Sequence, residues 1–437
     1  MTFPSQVLSR RRFMRSLVLK GCAVSLAGLP FPGAADEKAS AIAPSRTGGQ
    51  PTGAQPSSLN KPSSYLSVRA LGAKGDGQTD DNLPLQEGID RVSAAGGGTL
   101  FIPSGVYLTG QLALRANVRI TGEGYPSCLR LRPAGNNYVL ANTDGYRYVD
   151  NVTIDNLRID GNKHQNRSSG GIVMNGRNFV ITQCTVHDTV QACIECGAPG
   201  KGAERTPLSS GIRVIANYCL NPGLNGNAWG AIGITHGSNV LVQDNVCETT
   251  DGQMSYGIDI EPNAGNLIDG VKVIGNILRG GRLYVDCENM SSPGRNIHVS
   301  QNQILAENAL PTKFANAAAV FLRNIDGLTI ESNLIVGHPA SEWMGIMVAS
   351  PITQFSLRSN KILGPAKGGT AKYGIFFGYR AGIATHGEIT GNSIDGGAGL
   401  RYGIYAAHPR ALSDVKIAEN VFTSVEQPYA LSGYPVQ

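Results

Sequence analysis

The sequence predicts an all-β chain, a single-stranded parallel β-helix with one N-terminal capping α-helix. Two observations carry the prediction. Asparagines recur in similar apolar settings (VIANYC, VQDNVC, VIGNIL, VSQNQIL, IESNLI, LRSNKIL, EITGNSI, IAENVF) at Asn217, Asn245, Asn276, Asn302, Asn333, Asn360, Asn392 and Asn420, 26 to 32 residues apart. Between these segments lie short strands, AIGI, GIDI, YVDC, AVFL, GIMV, GIFF and GIYA, whose alternate residues are apolar. A period of this size means that each repeat is one unit stacked on the next. Alternation within the strands turns pairs such as Ile232/Ile234, Ile258/Ile260 and Val285/Cys287 toward one side. Stacked coils then pair like strands ~4.8 Å apart, and inward asparagines form a side-chain ladder, each bond contributing about 1 kcal/mol.

The elements follow in chain order. Ser9-Arg10-Arg11-Arg12-Phe13-Met14-Arg15, followed by SLVLKGCAVSLAGL, resembles a twin-arginine export signal. That resemblance implies residues 1–35 as a leader, passage through the twin-arginine translocase, and a periplasmic or extracellular protein. Residues 36–64 are rich in Ala, Pro, Ser, Thr and Gly without apolar periodicity, and read as a disordered linker. The β-helix domain spans 65–437. Its one helical segment, NLPLQEGIDRVSA, sets Leu85, Ile89 and Val92 on one face, with Asp80 or Asp81 as cap and Gly96 to Gly98 as stop. From Thr99 onward the pattern is short β-type runs between Gly, Asn and Asp turns.

Composition narrows the function. The formal charge is +5, but Arg10, Arg11, Arg12, Arg15 and Lys20 lie in the leader. Taking these five from 37 Lys and Arg leaves 32, against 32 Asp and Glu, so no basic footprint for nucleic acid remains. After the leader no apolar run reaches the ~18 residues of a membrane span. Cys193 and Cys196 form a lone CxxC with no second pair to complete a zinc set. Cys219 and Cys247 fall two places after their asparagines, where a disulfide or a buried thiol column would fit. The histidines His164, His187, His298, His338, His386 and His408 lack metal-ligand spacing and read as surface or turn residues.

The segments VRALGAKGDGQTDD, GGGTLFIPSGVYLTGQLALRANVRITGEG and NVTIDNLRIDGN resemble the opening of the pectate lyase superfamily, in its polygalacturonase-related and epimerase-like branch. The resemblance covers nearly all of the chain after residue 65 and implies a right-handed β-helix capped by the helix near 82–95. That superfamily includes hydrolases, lyases, epimerases and phage spikes, so chemistry must come from the site. The polygalacturonase motifs do not occur in order, and Asn142-Thr143-Asp144 stands too early to supply one. The Asp-Pro-His signature of the alginate C5-epimerases is also absent; GIDIEPN has only a loose likeness to it, with Tyr256 and Asp259 in plausible places.

Aligning the last strand of successive coils gives two outward columns. One reads Gly233, Asp259, Asp286, Phe321, Met347, Phe376, Tyr405; the next reads Thr235, Glu261, Glu288, Arg323, Ala349, Gly378, Ala407. Asp259, Glu261, Asp286 and Glu288 thus share one patch on two coils. Stacked like charges repel, so the patch needs a shifted pKa, a bound cation or a neighbouring base such as Arg323 or His236.

The reading taken from this patch is an exported glycoside hydrolase on a polysaccharide, with no cofactor required. Asp259 or Glu261 would be the acid, and Asp286 or Glu288 the base or nucleophile. Arg323, His236, Tyr256, Tyr284 and Arg282 would bind sugar or tune pKa. Glu195, in CIECG, matches Asp259 from one coil away and would flank the site. The alternative is a lyase or C5-epimerase of uronic-acid polymers. There the patch would hold Ca²⁺, and Arg279, Arg282, Arg323 or Lys313 would act as base or neutraliser. A third reading is a non-catalytic glycan-binding β-helix.

Overall fold

An asparagine that repeats once per coil has one physical use for its side chain, to bond the coils above and below. The computed structural model shows this ladder. It describes residues 64–436 except 143–147, 198–207, 225–229, 264, 289–291, 306–316, 338–342, 365–370 and 379–381. The export leader, nearly all of the linker and Lys313 therefore lie outside the described residues. Asn217 donates through its backbone N and Nδ2 to Oδ1 of Asn245, at 2.9 and 3.0 Å. The same pair of bonds passes from Asn245 to Asn276, Asn302, Asn333, Asn360, Asn392 and Asn420. The first amide into the ladder comes from Cys184, whose backbone N donates to Asn217 Oδ1 at 3.1 Å.

The residue before each ladder asparagine turns the chain with a positive φ. Ala216, Asp244, Gln301, Ser332, Ser359 and Glu419 have φ between 53° and 58°, and Gly275 and Gly391 take the other two places. A non-glycine residue in that region costs about 1–2 kcal/mol, and the buried amide bonds of the next residue hold it there.

Each coil supplies three strands to three parallel sheets. The first runs through residues such as Val180, Arg213, Leu241, Lys272 and His298 in register. After the asparagine turn the second runs through Val186, Cys219, Cys247, Leu278 and Ile304. The third carries Ile194, Ile232, Ile258, Leu283, Val320, Ile346, Ile375 and Ile404. Those apolar residues of the second and third sheets are almost wholly buried, and stacking like on like contributes roughly 1.5–3 kcal/mol per large side chain. Cys219 and Cys247 stand in register, and both are buried free thiols.

The helix α1 (Asn82–Ala94) closes the N-terminal end by burying Leu85, Ile89 and Val92. Gly88 lies on the same face, where a Cβ would stand 2.6 Å from Leu100 Cδ1. Asp81 is the N-cap by position, but its carboxylate accepts Lys74 N and Gly75 N, at 2.6 and 2.8 Å. Asp80 accepts the Asn82 amide at 3.0 Å instead. No helix among the described residues is long and apolar enough to cross a membrane.

Candidate active site

The third sheet carries the outward residues singled out above. Its relevant strands are β1 (Ile194–Cys196), β2 (Gly230–Ile234), β3 (Tyr256–Ile260), β4 (Arg282–Asp286) and β5 (Ala317–Arg323). Register places Glu195, Gly233, Asp259, Tyr284 and Phe321 in one outward column. In the next, Asp286 pairs with Arg323, and Glu261 follows Ile260, the partner of Val285.

This corrects the expected alignment. Tyr284, and not Asp286, is the neighbour of Asp259, and Asp286 stands beside Glu261. The register partners of Ile258 and Ile260 are Leu283 and Val285, while Val285 and Cys287 both point into the core as expected. The cause is a register shift between Tyr256 and Ile258, where Gly257 has no counterpart in β4. Glu288 lies past the end of β4 and reaches the patch through Arg323. Glu195 also stands one coil further from Asp259 than expected, with Gly233 between them.

Among the described residues the patch is compensated by hydrogen bonds and by the Arg323 guanidinium. Tyr284 Oη donates to Asp286 Oδ2 at 2.9 Å, and Arg323 Nη1 donates to the same oxygen at 3.1 Å. Arg323 Nε lies 3.2 Å from Glu288 Oε2, and Glu288 N donates to Asp286 Oδ1 at 3.1 Å. Burial, with Asp286, Tyr256 and Glu261 as neighbouring charges, pushes the Tyr284 phenol well above its usual range. Tyr284 therefore stays protonated and acts as a hydrogen-bond donor. Its ring stacks on Tyr256 and Phe321, with centroids 4.6 and 4.7 Å away.

The remaining candidates divide by exposure. Asp259 and Asp286 are 7% and 4% exposed, at the base of the patch. Arg323, Glu288, Glu261, Tyr284 and Glu195 retain exposed surface. Tyr256 and Arg282 are buried register partners, and burial lowers the Arg282 pKa. They support the floor and are not a surface for sugar. His236 is also buried, and its Nδ1 accepts the Leu267 amide at 3.0 Å. It holds a turn, contrary to the sugar-binding role expected of it. Arg279 pairs with Glu248 on the second sheet, away from the patch. Tyr138, half-buried, donates to Glu195 Oε2 from two coils away and fixes that carboxylate.

Sequence reading missed a second polar group. Asp160, His187 and Asp188 bring donor atoms within 4.8 Å of one another and could coordinate a metal ion. Asp160 and His187 are register partners on the second sheet, and Arg130 precedes them in the same column. The 30- and 27-residue steps from Arg130 to Asp160 to His187 are the asparagine period applied to polar residues. Arg130 Nε and Asn162 N already donate to Asp160, at 2.7 and 2.8 Å, and His187 Nδ1 lies 2.8 Å from Asp188 Oδ2.

Comparison with known proteins agrees with this architecture. The family described as Rhamnogalacturonase A/epimerase, pectate lyase-like, matches residues 65–266. A SPbeta prophage-derived uncharacterized protein, YomE, of Bacillus subtilis (strain 168) is 29% identical over 167 residues, 35% of this chain and 25% of its own. Alginate lyase 7 of Azotobacter vinelandii is 45% identical over 65 residues, 13% of this chain and 8% of its own. This chain thus spans a quarter or less of those relatives. Among solved structures, the A-module of the Azotobacter vinelandii mannuronan C-5 epimerase AlgE4 superposes with a TM-score of 0.59 at 16% identity, covering 84% of this chain and 98% of that one. The chain folds as a parallel β-solenoid, and its residues 65–266 are similar to the pectate-lyase-like family.

Proposed function

We propose that this protein acts on a uronic-acid polysaccharide by removing the proton at C5, leading to C5 epimerisation or to β-elimination. The observation that carries the reading is Asp286, held between the Tyr284 hydroxyl and the Arg323 guanidinium, one coil from Asp259 and Glu261. The family match, the alginate lyase segment and the epimerase fold support action on a carbohydrate.

The chemistry asks for three groups. A cation must neutralise the sugar carboxylate so that the C5–H electron pair can move into it; Arg323, partly exposed, fits that role. A base must take the proton, and Asp259 or Glu261 fits it. A protonated group must face the other side of C5, and Tyr284 is held protonated there. In epimerisation the proton returns to C5 from that opposite face. In elimination the same electron pair expels O4, the C4–O4 bond breaks, the Tyr284 hydroxyl gives its proton to the leaving O4, and a 4,5-unsaturated uronate forms. Calcium, if bound at Asp160, His187 and Asp188, would sit on the second sheet and act on stability rather than on the sugar. The Arg10-Arg11-Arg12 leader supports export through the twin-arginine translocase, giving a periplasmic or extracellular enzyme.

The test is incubation with mannuronan and with polygalacturonate in deuterated water. C5 exchange read by NMR indicates epimerisation, and absorbance near 235 nm indicates elimination. New reducing ends without either signal would replace this reading by hydrolysis through the carboxylates, a reading favoured by Glu261 and Asp286 standing on adjacent coils ~4.8 Å apart.

A further inference from the structure

We infer that Gly233 is the floor of a saccharide subsite, which takes the hydroxyl-bearing edge of a sugar between Glu195 and Asp259. The inference rests on the reading of the Asp259 patch as the active site. It starts from a glycine that no contact among the described residues requires. Glycine inside a strand lowers stability by roughly 0.5–1 kcal/mol relative to alanine, and the neighbouring strand glycines each have a packing reason. A Cβ at Gly230 would stand 2.8 Å from Asp259 Cβ, one at Gly257 2.8 Å from Leu278 Cδ2, and one at Gly345 2.5 Å from Gly374 O.

Gly233 has no such reason. Its φ lies outside the left-handed region, and among the described residues a Cβ there would meet only Glu195 Cγ, at 3.7 Å. A strand glycine with room for a side chain marks a place where something else approaches the backbone.

The surroundings say what approaches. Register puts Glu195 one coil before Gly233 and Asp259 one coil after it, all on the outward face. The two carboxylates are therefore ~9.6 Å apart at Cα, twice the strand spacing, and the strand residue between them, Gly233, carries no side chain. Tyr138 fixes Glu195 from behind. Gly233 is itself buried, so the gap admits the edge of a sugar ring and not its face. Two flanking acceptors suit hydroxyl donors and repel a sugar carboxylate. The acidic substituent is then directed to the Arg323 side, two coils beyond Asp259, which sets the direction in which the polymer lies along the coils.

The experiment compares Gly233→Ala, Gly233→Val and Asp259→Asn in the full chain, with mannuronan and polygalacturonate oligomers as substrates. The subsite predicts about a tenfold loss of kcat/KM for Gly233→Ala, expressed mainly in KM, and about a hundredfold loss for Gly233→Val. Melting temperatures should be unchanged or raised. Wild-type kcat/KM in Gly233→Ala, with Asp259→Asn inactive, would overturn the subsite and leave the active site standing. Full activity in Asp259→Asn would overturn the active-site reading and the subsite with it. Should Gly233→Val fail to fold, the Gly233→Ala comparison decides alone. A fall in kcat/KM matched by a fall in melting temperature would assign Gly233 to the fold and overturn the inference.

Discussion

Asp286 and Arg323 are register partners on adjacent coils, and Arg323 Nη1 closes on Asp286 Oδ2 at 3.1 Å. The same guanidinium reaches Glu288 at 3.2 Å, so one cation serves two carboxylates that would otherwise repel each other. Arg323→Ala should lower kcat/KM about 10²- to 10³-fold, because the group that offsets developing charge is gone. Arg323→Lys should recover only part of this, since a lysine cannot reproduce the fork. Steady-state kinetics beside a thermal melt checks both variants.

Tyr284→Phe isolates the hydroxyl from the ring. The stacks on Tyr256 and Phe321 remain, while the bond to Asp286 disappears. The expected result is a loss of about 10²- to 10⁴-fold in kcat/KM with the melting temperature close to wild type. Activity within a few-fold of wild type would remove Tyr284 from the proton transfer.

Stability should fall in alkali. Burial, and then the hydrogen bond to Glu248, raises the Tyr218 phenol to about 12 from 10.0, and burial raises the Cys184 and Cys196 thiols to about 12 from 9.0. Each group stays protonated in the folded chain where the unfolded chain has already released its proton. The unfolded state then binds fewer protons, and stability falls with rising pH. The contribution is complete below about pH 9 and is lost progressively between about pH 9 and 12. Melting curves from pH 7 to pH 11 test this, and Tyr218→Phe should reduce the slope above pH 10.

The ladder should be costly to break in the middle and cheap at its end. Asn302→Ala would leave the buried Asn276 Nδ2 without Asn302 Oδ1 and remove the donor to Val273 O, Ser300 O and Asn333 Oδ1. A loss of about 3 kcal/mol is expected, from one to three kcal/mol for each buried group left unbonded. Asn420→Ala, at the half-buried last rung, should cost about 1 kcal/mol. Denaturant midpoints compare the two.

Ser332→Gly should stabilise. Ser332 holds φ at 55°, a conformation that costs a non-glycine residue about 1–2 kcal/mol. Part of that gain is offset by the larger backbone entropy of glycine in the unfolded chain, leaving about 0.5 kcal/mol. An equal or lower denaturant midpoint would contradict it.

The fold was legible in the sequence because its two determinants are periodic. Asn217 to Asn420 mark the turn once per coil, and pairs such as Ile232/Ile234 mark the inward face. The site was legible only in part, and the failure has a physical form. A slip of one residue would have turned Leu283 and Val285 outward and been obvious. The slip that occurred was two residues, which keeps every apolar side chain inward and moves Asp286 from the column of Glu261 to that of Asp259. Only the unpaired Gly257 distinguishes the two registers, and alternation is blind to it. The Asp160–His187–Asp188 group escaped for another reason, because ligand spacing was sought along the chain while the coils assemble ligands across it.

The buried thiols have a use beyond packing. Cys128, Cys184, Cys193, Cys196, Cys219, Cys247 and Cys287 are all buried and unpaired, and the chain has no cysteine after Cys287. A thiol reagent can reach them only when their own coils open. Reaction rates under native conditions therefore clock the opening of the coils nearest the cap, while fraying from the C-terminal end goes unrecorded. Paired with amide exchange over the last coils, the wild-type chain is a ready-made probe of whether a solenoid opens end by end or all at once.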